Sequence, residues 1–247
     1  MTVVLINGNP ETPRIWDQLA PLLVNHETVR IGLPGFGVDP PANWNATIDE
    51  YIDHVTSELA ALDHPVHVLG HDFGGLLALM VAARRPETLK SVAADTFGAF
   101  SPDYQWHPLA QIWQTPGDGE RWVAERAALP IGERARVMVE RGMPEPAASA
   151  LAPAFDDEMA RCILALYRSA AQPRLADEGR RVAQVTVPAL AILAELDTVT
   201  GSAEQHRLVA ARVNANVLHL PGVGHWWMAE RPDIAAPGLL AHWAANE

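Results

Sequence analysis

An acidic residue stands in a position typical of a hydrolytic nucleophile. Residues 70–75 read Gly-His-Asp-Phe-Gly-Gly and directly follow the apolar run at 66–69. The pattern is typical of a sharp strand-to-helix turn that exposes a nucleophile, with Asp72 where serine is more common. A serine alkoxide attacks a carbonyl carbon, whereas a carboxylate can displace a leaving group from a saturated carbon and form an alkyl ester. The turn therefore points to carbon–halogen bonds or epoxides.

Backbone donors for an oxyanion are predicted on two segments. The helix that follows the turn directs its N-terminus at the site, so the N–H of Phe73 is one candidate donor. The second donor is expected in the loop after the first strand, where residues 7–10 read Asn-Gly-Asn-Pro and Asn9 is the candidate. The alternative interpretation is that Asp72 only caps the helix. The candidate base and acid described next argue against this alternative.

A base and an orienting acid are available later in the chain. His225 lies on a glycine-rich loop after the apolar run at 217–220, a position suited to a general base. Asp197 follows another buried run and can hold the imidazole in one tautomer. Asp95 is a second candidate for this acid. The order Asp72, Asp197, His225 is nucleophile, acid, base.

The elements that must position these residues alternate between strands and helices. Apolar runs predict strands at 3–6, 28–31, 66–69, 89–94, 187–194 and 217–220. Helical spacing predicts helices at 15–24, 47–62 and 74–85. Between residues 97 and 184 strand signals disappear, and helices are expected at 133–141 and 156–171. We therefore predict an α/β fold with a mostly parallel sheet over 1–96 and 185–247, and a helical cap over 97–184.

Length and composition narrow the class of protein. The 247 residues fit one large α/β domain, and 49% of them are hydrophobic. The net charge of −12 argues against nucleic acid and anionic membranes as partners. The single cysteine, Cys162, excludes a disulfide framework and a cysteine metal cluster. Because no signal peptide or membrane-spanning run is recognisable, we expect a cytoplasmic protein. No motif calls for a metal or an organic cofactor.

Together these motifs resemble the α/β-hydrolase superfamily, in particular its aspartate-nucleophile branch of haloalkane dehalogenases, haloacetate dehalogenases and epoxide hydrolases. Residues 70–75 look like the nucleophile elbow of that branch, and residues 7–10 look like its His-Gly-x-Pro oxyanion loop. Leu196-Asp197 and Gly224-His225 match its acid and base. The chain departs from the pattern at Asn7, where histidine is usual. It also begins close to the first matched strand, which leaves a shorter sheet edge that a second subunit could cover in a homo-oligomer.

The resemblance to epoxide hydrolases implies acidic tyrosines in the cap that protonate the opening ring oxygen. Leu166-Tyr167-Arg168 resembles the segment that carries one of them, so Tyr167 is the candidate. Residues 114–117 resemble the segment after the other. The position expected for that second tyrosine holds Leu109, with Tyr104 and His107 close by.

The resemblance to haloalkane dehalogenases implies N–H donors that hold the halide. These enzymes use a tryptophan after the nucleophile and often an asparagine in the oxyanion loop. Asn9 matches the second donor, but Phe73 stands at the first and cannot donate a hydrogen bond. Trp113 or Trp106 of the cap could substitute. Haloacetate dehalogenases carry arginines just after the nucleophile, and residues 73–76 contain none.

The sequence thus predicts a cofactor-free hydrolase that acts on a small apolar substrate and water through an alkyl ester of Asp72. Epoxide hydrolysis is favoured on Tyr167 and the cap segment at 114–117, and halide release is the alternative. A non-catalytic binding protein of the same fold is a second alternative. Cofactor-free chemistry other than hydrolysis, with His225 as the base, is a third.

Overall fold

Six apolar segments form one parallel sheet in the computed structural model, which describes residues 1–247. The strands are β1 (Thr2–Ile6), β2 (Glu27–Ile31), β3 (Val66–Gly70), β4 (Leu89–Ala94), β5 (Ala189–Ala194) and β6 (Asn216–Leu220). Their order in the sheet is β2-β1-β3-β4-β5-β6, and all neighbours are parallel. The carboxyl ends of β1 and β3 therefore meet at one edge, where open α/β sheets bind their ligands.

Helices cover both faces of this sheet. They are α1 (Ile48–Ala60), α2 (Phe73–Ala82), α3 (Pro108–Gln114), α4 (Asp118–Ala127), α5 (Ile131–Glu140), α6 (Glu145–Leu151), α7 (Asp157–Ser169), α8 (Arg174–Val182), α9 (Ala203–Arg212), α10 (Trp227–Glu230) and α11 (Pro232–Ala244). Side chains alternate along a strand, so Val4 and Ile6 join one core cluster while Val3 and Leu5 join a second. None of these helices combines the length and apolarity needed to cross a bilayer.

Local signals placed most of these elements correctly. The helix α1 begins with the predicted capping box: the Thr47 hydroxyl accepts from the Glu50 N–H at 3.3 Å, and the Glu50 carboxylate accepts from the Thr47 N–H at 3.0 Å. The helix predicted at 15–24 is wrong. Two short 3₁₀ helices, Pro13–Asp17 and Ala20–Leu22, replace it. Pro21 has no N–H to continue an α-helix, so the segment buries its apolar side chains through two separate turns.

The segment between β4 and β5 contains helices and loops but no strand, as its composition indicated. It leaves the carboxyl end of β4 and carries α3 to α8 before the chain enters β5. Its last helix, α8, packs against α2 of the core. The exact domain boundary at residue 184 stays a prediction, as does a contact between two copies of the chain at the β2 edge.

Candidate active site

The turn between β3 and α2 holds Asp72 in a strained backbone conformation. Its φ is 49° and its ψ is −124°, which costs a non-glycine residue about 1–3 kcal/mol. Two glycines make the turn possible because the chain passes itself closely. A Cβ on Gly70 would lie 2.3 Å from the Gly74 carbonyl oxygen, and a Cβ on Gly74 would lie 2.3 Å from that of Ile6. The surrounding contacts therefore fix Asp72 at the carboxyl edge of the sheet.

The loop after β1 supplies a backbone donor to Asp72. The Asn9 N–H donates to Asp72 Oδ1 at 3.0 Å. Gly8 allows this approach, since a Cβ there would lie 2.4 Å from the Asp72 Cβ. The Phe73 N–H also lies close enough to the carboxylate to favour its charged form. Both predicted oxyanion donors therefore face the carboxyl group of Asp72.

His225 lies between two carboxylates. Its Nδ1 is 2.9 Å from Asp197 Oδ2, and its Nε2 is 3.8 Å from Asp72 Oδ2. The Val199 N–H at 2.7 Å and the Thr200 hydroxyl at 3.1 Å in turn fix Asp197. Burial disfavours the Asp197 charge, but His225 and these donors hold its pKa well below the usual range. The geometry therefore supports Asp197 as the residue that orients His225.

Asp95, the alternative acid, lies behind the nucleophile. Its Oδ1 accepts from the Asp72 N–H at 3.0 Å, and its Oδ2 accepts from the Trp227 indole at 2.7 Å. Its other partner is His71 Nδ1. Two of these bonds, to Asp72 and His71, fix the turn that carries Asp72, and none reaches His225. Asp95 is thus placed to position the nucleophile.

A buried network that the sequence reasoning missed lies beneath the site. His71 bridges Asp95 and Glu11, with its Nε2 3.1 Å from Glu11 Oε1. Glu11 also accepts from the Trp226 indole at 2.6 Å. Burial opposes charge on His71, but the two carboxylates raise its pKa well above the ordinary value. The only sequence signals were positional, since Glu11 follows the oxyanion loop and His71 precedes the nucleophile.

The same network contains the one cluster whose spacing could suit a cation. Ligand atoms of Glu11, His71 and His225 all lie within 4.8 Å of one another. However, His71 already bridges two carboxylates and His225 is bonded to Asp197. Each group therefore has a protein partner. The cofactor-free prediction rests on the sequence motifs alone.

Tyr167 lies directly above the turn, inside an aromatic cluster. Its ring centroid is 4.9 Å from Phe73, 4.6 Å from Trp113 and 5.3 Å from Trp106. Burial, followed by the nearby charge of Asp72, raises its pKa well above the usual value. The phenol therefore keeps its proton at neutral pH and can act as a donor close to the nucleophile.

Tyr104 and His107, the other predicted cap residues, have polar atoms engaged within the protein. The Tyr104 hydroxyl donates to the Val199 carbonyl at 3.0 Å. His107 Nδ1 accepts from the Ala110 N–H at 3.2 Å and so caps α3. Burial lowers the pKa of His107 to about 4, so its ring is neutral at physiological pH. A leaving-group contact from either residue would have to compete with these bonds.

Three buried donors beside the site have no acceptor within the protein. They are Asn9 Nδ2, Trp106 Nε1 and Trp113 Nε1. Buried polar groups are nearly always paired, so unpartnered ones need an explanation. Trp106 also stacks on Phe73 with its ring centroid 6.0 Å away. These donors are suited to a small anion or a substrate oxygen.

The burial of Asp72 predicts how the rate of adduct formation depends on pH in the acid range, the acid limb of the pH profile. Burial raises its pKa above the ordinary 3.8, although His225 and His71 oppose the shift. A carboxylate is nucleophilic only when ionised, so the alkylation of Asp72 predicted from the sequence is expected to fall as the pH drops through this raised pKa. Quenched-flow measurement of adduct formation across the acid range tests this. The His225→Gln variant should move the limb to higher pH because it removes a positive neighbour. A limb at the ordinary aspartate pKa would contradict the prediction.

Comparison with known proteins places the chain among hydrolases. A profile described as "Alpha/beta hydrolase family" matches residues 3–237. A haloalkane dehalogenase of Mesorhizobium japonicum is 29% identical over 169 residues, which are 64% of this chain and 50% of that protein. The lipase LipV of Mycobacterium tuberculosis is 38% identical over 96 residues, which are 36% of this chain and 34% of that protein. The matches thus span half or less of these curated relatives.

Solved structures share the fold across nearly the whole chain. A proposed epoxide hydrolase from Pseudomonas aeruginosa superposes with a TM-score of 0.80 at 19% identity, covering 99% of this chain and 89% of that one. The haloalkane dehalogenase DbeA from Bradyrhizobium elkanii gives a TM-score of 0.74 at 22% identity, covering 99% and 91%. At these identities the likeness shows the fold alone.

Proposed function

Because this chain belongs to the alpha/beta hydrolase family, we propose that it hydrolyses an electrophilic saturated carbon through an alkyl ester of Asp72. The fold and the membership of the α/β-hydrolase superfamily predicted from the motifs are confirmed. The observation that carries the proposal is the position of the Asp72 carboxylate. It faces the Asn9 N–H on one side and His225, at 3.8 Å, on the other. We propose an epoxide as the substrate because Tyr167 contacts the neighbouring Phe73 ring at 4.9 Å and lies within electrostatic range of Asp72.

In the first step Asp72 is the nucleophile. Asn9 holds Oδ1, so Oδ2 is the oxygen free to attack. A bond forms between Oδ2 and one ring carbon while the bond from that carbon to the epoxide oxygen breaks. The released oxygen takes the Tyr167 proton and becomes a hydroxyl group. Oδ1 then becomes the carbonyl oxygen of the ester. It still faces the backbone N–H groups of Asn9 and Phe73.

In the second step His225 is the base. Its Nε2 removes a proton from a water molecule, whose oxygen adds to the Asp72 carboxyl carbon. Negative charge develops on Oδ1, where the N–H groups of Asn9 and Phe73 stabilise it. Collapse of this intermediate breaks the bond between the carboxyl carbon and Oδ2, and the departing diol oxygen takes the proton held by His225. The second water proton, left on the Asp72 carboxyl group, returns to the Tyr167 phenolate and restores both residues. Asp197 keeps the Nδ1 proton in place throughout.

Alkylation itself prepares His225 for this step. Burial disfavours the imidazolium, but Asp197 and Asp72 together raise the pKa of His225 above 6.5. Esterification removes the Asp72 charge and therefore one of the influences that raise this pKa. The fraction of neutral imidazole thus increases when a base is needed.

Halide release is the second candidate, and a separate observation favours it. The unpartnered donors Asn9 Nδ2, Trp106 Nε1 and Trp113 Nε1 could hold a departing halide, although Phe73 cannot. The covalent ester and its hydrolysis would be unchanged. The two candidates differ only in the group that leaves and in the donor that assists it.

Tyr167→Phe separates these candidates. We expect diol formation from styrene oxide to fall by about 10²–10⁴-fold, because the proton donor is lost while the ring packing remains. Bromide release from 1-bromobutane should change little. Asn9→Ala is the matched control: it keeps the backbone N–H but removes the side-chain amide, so only bromide release should fall. Unchanged diol formation in Tyr167→Phe would rule out Tyr167 as the acid.

A further inference from the structure

A cavity of about 60 Å³ lies beside the active site, between the loop after β1 and the cap. Apolar side chains dominate its wall, among them Trp113, Trp122 and Phe155, yet three arginines also line it. Arg134 has a structural role, because it donates to the carbonyl groups of Ala127, Leu129 and Phe155. Arg126 and Arg141 have no such role.

Neither Arg126 nor Arg141 forms a hydrogen bond or an ion pair through its side chain. The Arg126 guanidinium lies over the Trp122 ring, with Cζ 4.9 Å from the centroid. Glu125 and Glu140 lie within electrostatic range of Arg126, but Glu140 is paired with Arg136. The chain has 30 acidic and 18 basic residues, so counter-charges are plentiful. Two unpaired arginines on one cavity therefore need an explanation.

The surroundings of Arg126 and Arg141 destabilise their positive charges. Partial burial lowers the pKa of Arg126, and the like charge of Arg141 lowers it further. Arg126 is partly buried, whereas Arg141 is exposed at the mouth of the cavity. Like charges drawn together beside apolar walls are unfavourable until an anion lies between them. An anion from outside the protein would supply a counter-charge for both arginines.

The cavity lies next to residues of the candidate site. Arg141 also lines a second cleft, whose wall includes Asp197 and His225. Its charge acts on His107, which in turn lies within electrostatic range of His225. On the other side, Trp113 contacts Tyr167 at a ring distance of 4.6 Å. A ligand in the cavity would thus lie against the aromatic cluster that covers Asp72.

We propose that Arg126 and Arg141 bind the carboxylate of the substrate, so that this hydrolase acts on an amphipathic carboxylic acid. The inference rests on the proposed function for its reactive carbon, which would face Asp72. The part of the apolar body next to the carboxylate would pack against Trp113 and Trp122 in the cavity, and the rest would extend out of it towards Asp72. A guanidinium matches the two oxygens of a carboxylate. A phosphate fits less well, because its extra charge and third oxygen would meet apolar walls.

This inference narrows the predicted small apolar substrate to one with a charged end. The net charge of −12 repels anions at long range. Binding of an acidic substrate to this protein therefore needs cations at short range. Arg126 and Arg141 supply two, on the wall of a single cavity.

Equilibrium binding tests the site without requiring turnover. Isothermal titration calorimetry would compare 4-phenylbutanoate with its neutral analogue 4-phenylbutan-1-ol. We expect the carboxylate to bind about tenfold or more tightly than the alcohol, because hydrogen bonds to charged groups are the stronger ones. The preference should vanish in Arg126→Gln/Arg141→Gln. It should persist in the control Arg121→Gln, which changes an exposed arginine of α4 that pairs with Asp118.

A further variant, a competing anion and an epoxide substrate decide between the possible outcomes. Arg126→Lys/Arg141→Lys keeps both charges and should retain part of the preference for the carboxylate. If the double glutamine variant lost that preference only because it misfolded, circular dichroism would show the misfolding. Equal binding of acid and alcohol to the wild type overturns the proposal. So does a preference that survives the double glutamine variant, or inorganic phosphate that displaces the probe as well as a second carboxylate does. If the carboxylate binds as expected but 4-oxiranylbenzoate is not hydrolysed, the anion site stands and the proposed function fails.

Discussion

The variant Asp72→Asn is expected to lose turnover by on the order of 10⁴-fold or more, the scale seen when a hydrolase loses its nucleophile. An amide oxygen is a much weaker nucleophile than a carboxylate, so the alkyl ester cannot form. Steady-state assays of diol and halide release measure the loss, and intact-protein mass spectrometry should detect no adduct. Both leaving-group candidates predict the same result because both pass through the ester.

The substitution is also expected to leave the fold intact. An asparagine Oδ1 can still accept from the Asn9 N–H, and the strained turn depends on Gly70 and Gly74 rather than on the charge. Thermal unfolding checks this. Asp103→Asn is the matched control, since Asp103 is an exposed acid bonded only to Ser101 and Gln205, and it should keep full activity. Turnover that survives Asp72→Asn would favour chemistry run by His225 alone.

The parts of the site that the sequence predicted are those with a local signature. The elbow is recognisable because close chain passage requires glycine at positions 70 and 74, on either side of Asp72. His225 and Asp197 follow buried strands, and parallel strands bring such residues to the same edge of a sheet. Asp95 has the same signature as Asp197. Only the side-chain directions show that Asp197 faces His225 while Asp95 faces the turn.

The parts that were missed depend on contacts between distant segments. Glu11 and His71 are 60 positions apart, and no spacing rule connects them. The two 3₁₀ helices at 13–22 have helical apolar spacing, and Pro21 decides against a continuous helix. The cap is harder still, because helix packing decides which of its aromatic and arginine side chains face the site. Sequence periodicity therefore predicted a cap but not the arginines on its cavity.

The missed network alters how the nucleophile is understood. Asp72 is buried, and burial alone would favour its protonated, inactive form. The positive charge of His71, which Glu11 and Asp95 stabilise, lowers the pKa of Asp72 and so opposes the effect of burial. The charge of His225 lowers the pKa of Asp72 in the same way. Two histidines thus favour the ionised carboxylate, and only His225 was recognisable from the sequence as a candidate base.

The variant His225→Gln is expected to accumulate the covalent ester on Asp72. Alkylation needs no base, whereas hydrolysis of the ester does, so only the second step is blocked. Removal of the base is expected to slow turnover by on the order of 10⁴-fold or more. Mass spectrometry after incubation with substrate should show one adduct per chain. Peptide mapping should place it on the segment that contains Asp72.

The adduct mass also identifies the leaving group. An epoxide adds its full mass, because the ring oxygen stays on the product. A bromoalkane adds the alkyl group, replaces one hydrogen and releases bromide. Styrene oxide and 1-bromobutane therefore give different mass increments on the same peptide. The probe that labels His225→Gln more rapidly is the better model of the natural leaving group.

Two further variants control this experiment. Asp197→Asn leaves the imidazole in place but removes the charge bonded to its Nδ1, so it should slow hydrolysis less than His225→Gln and accumulate ester only in part. Asp72→Asn/His225→Gln should remain unlabelled, which excludes adducts on other nucleophiles such as Cys162, a buried thiol whose pKa is raised by burial to about 11. A His225→Gln enzyme that is inactive yet carries no adduct, with a probe that the wild type consumes, would show that water attacks the substrate directly and that Asp72 forms no ester.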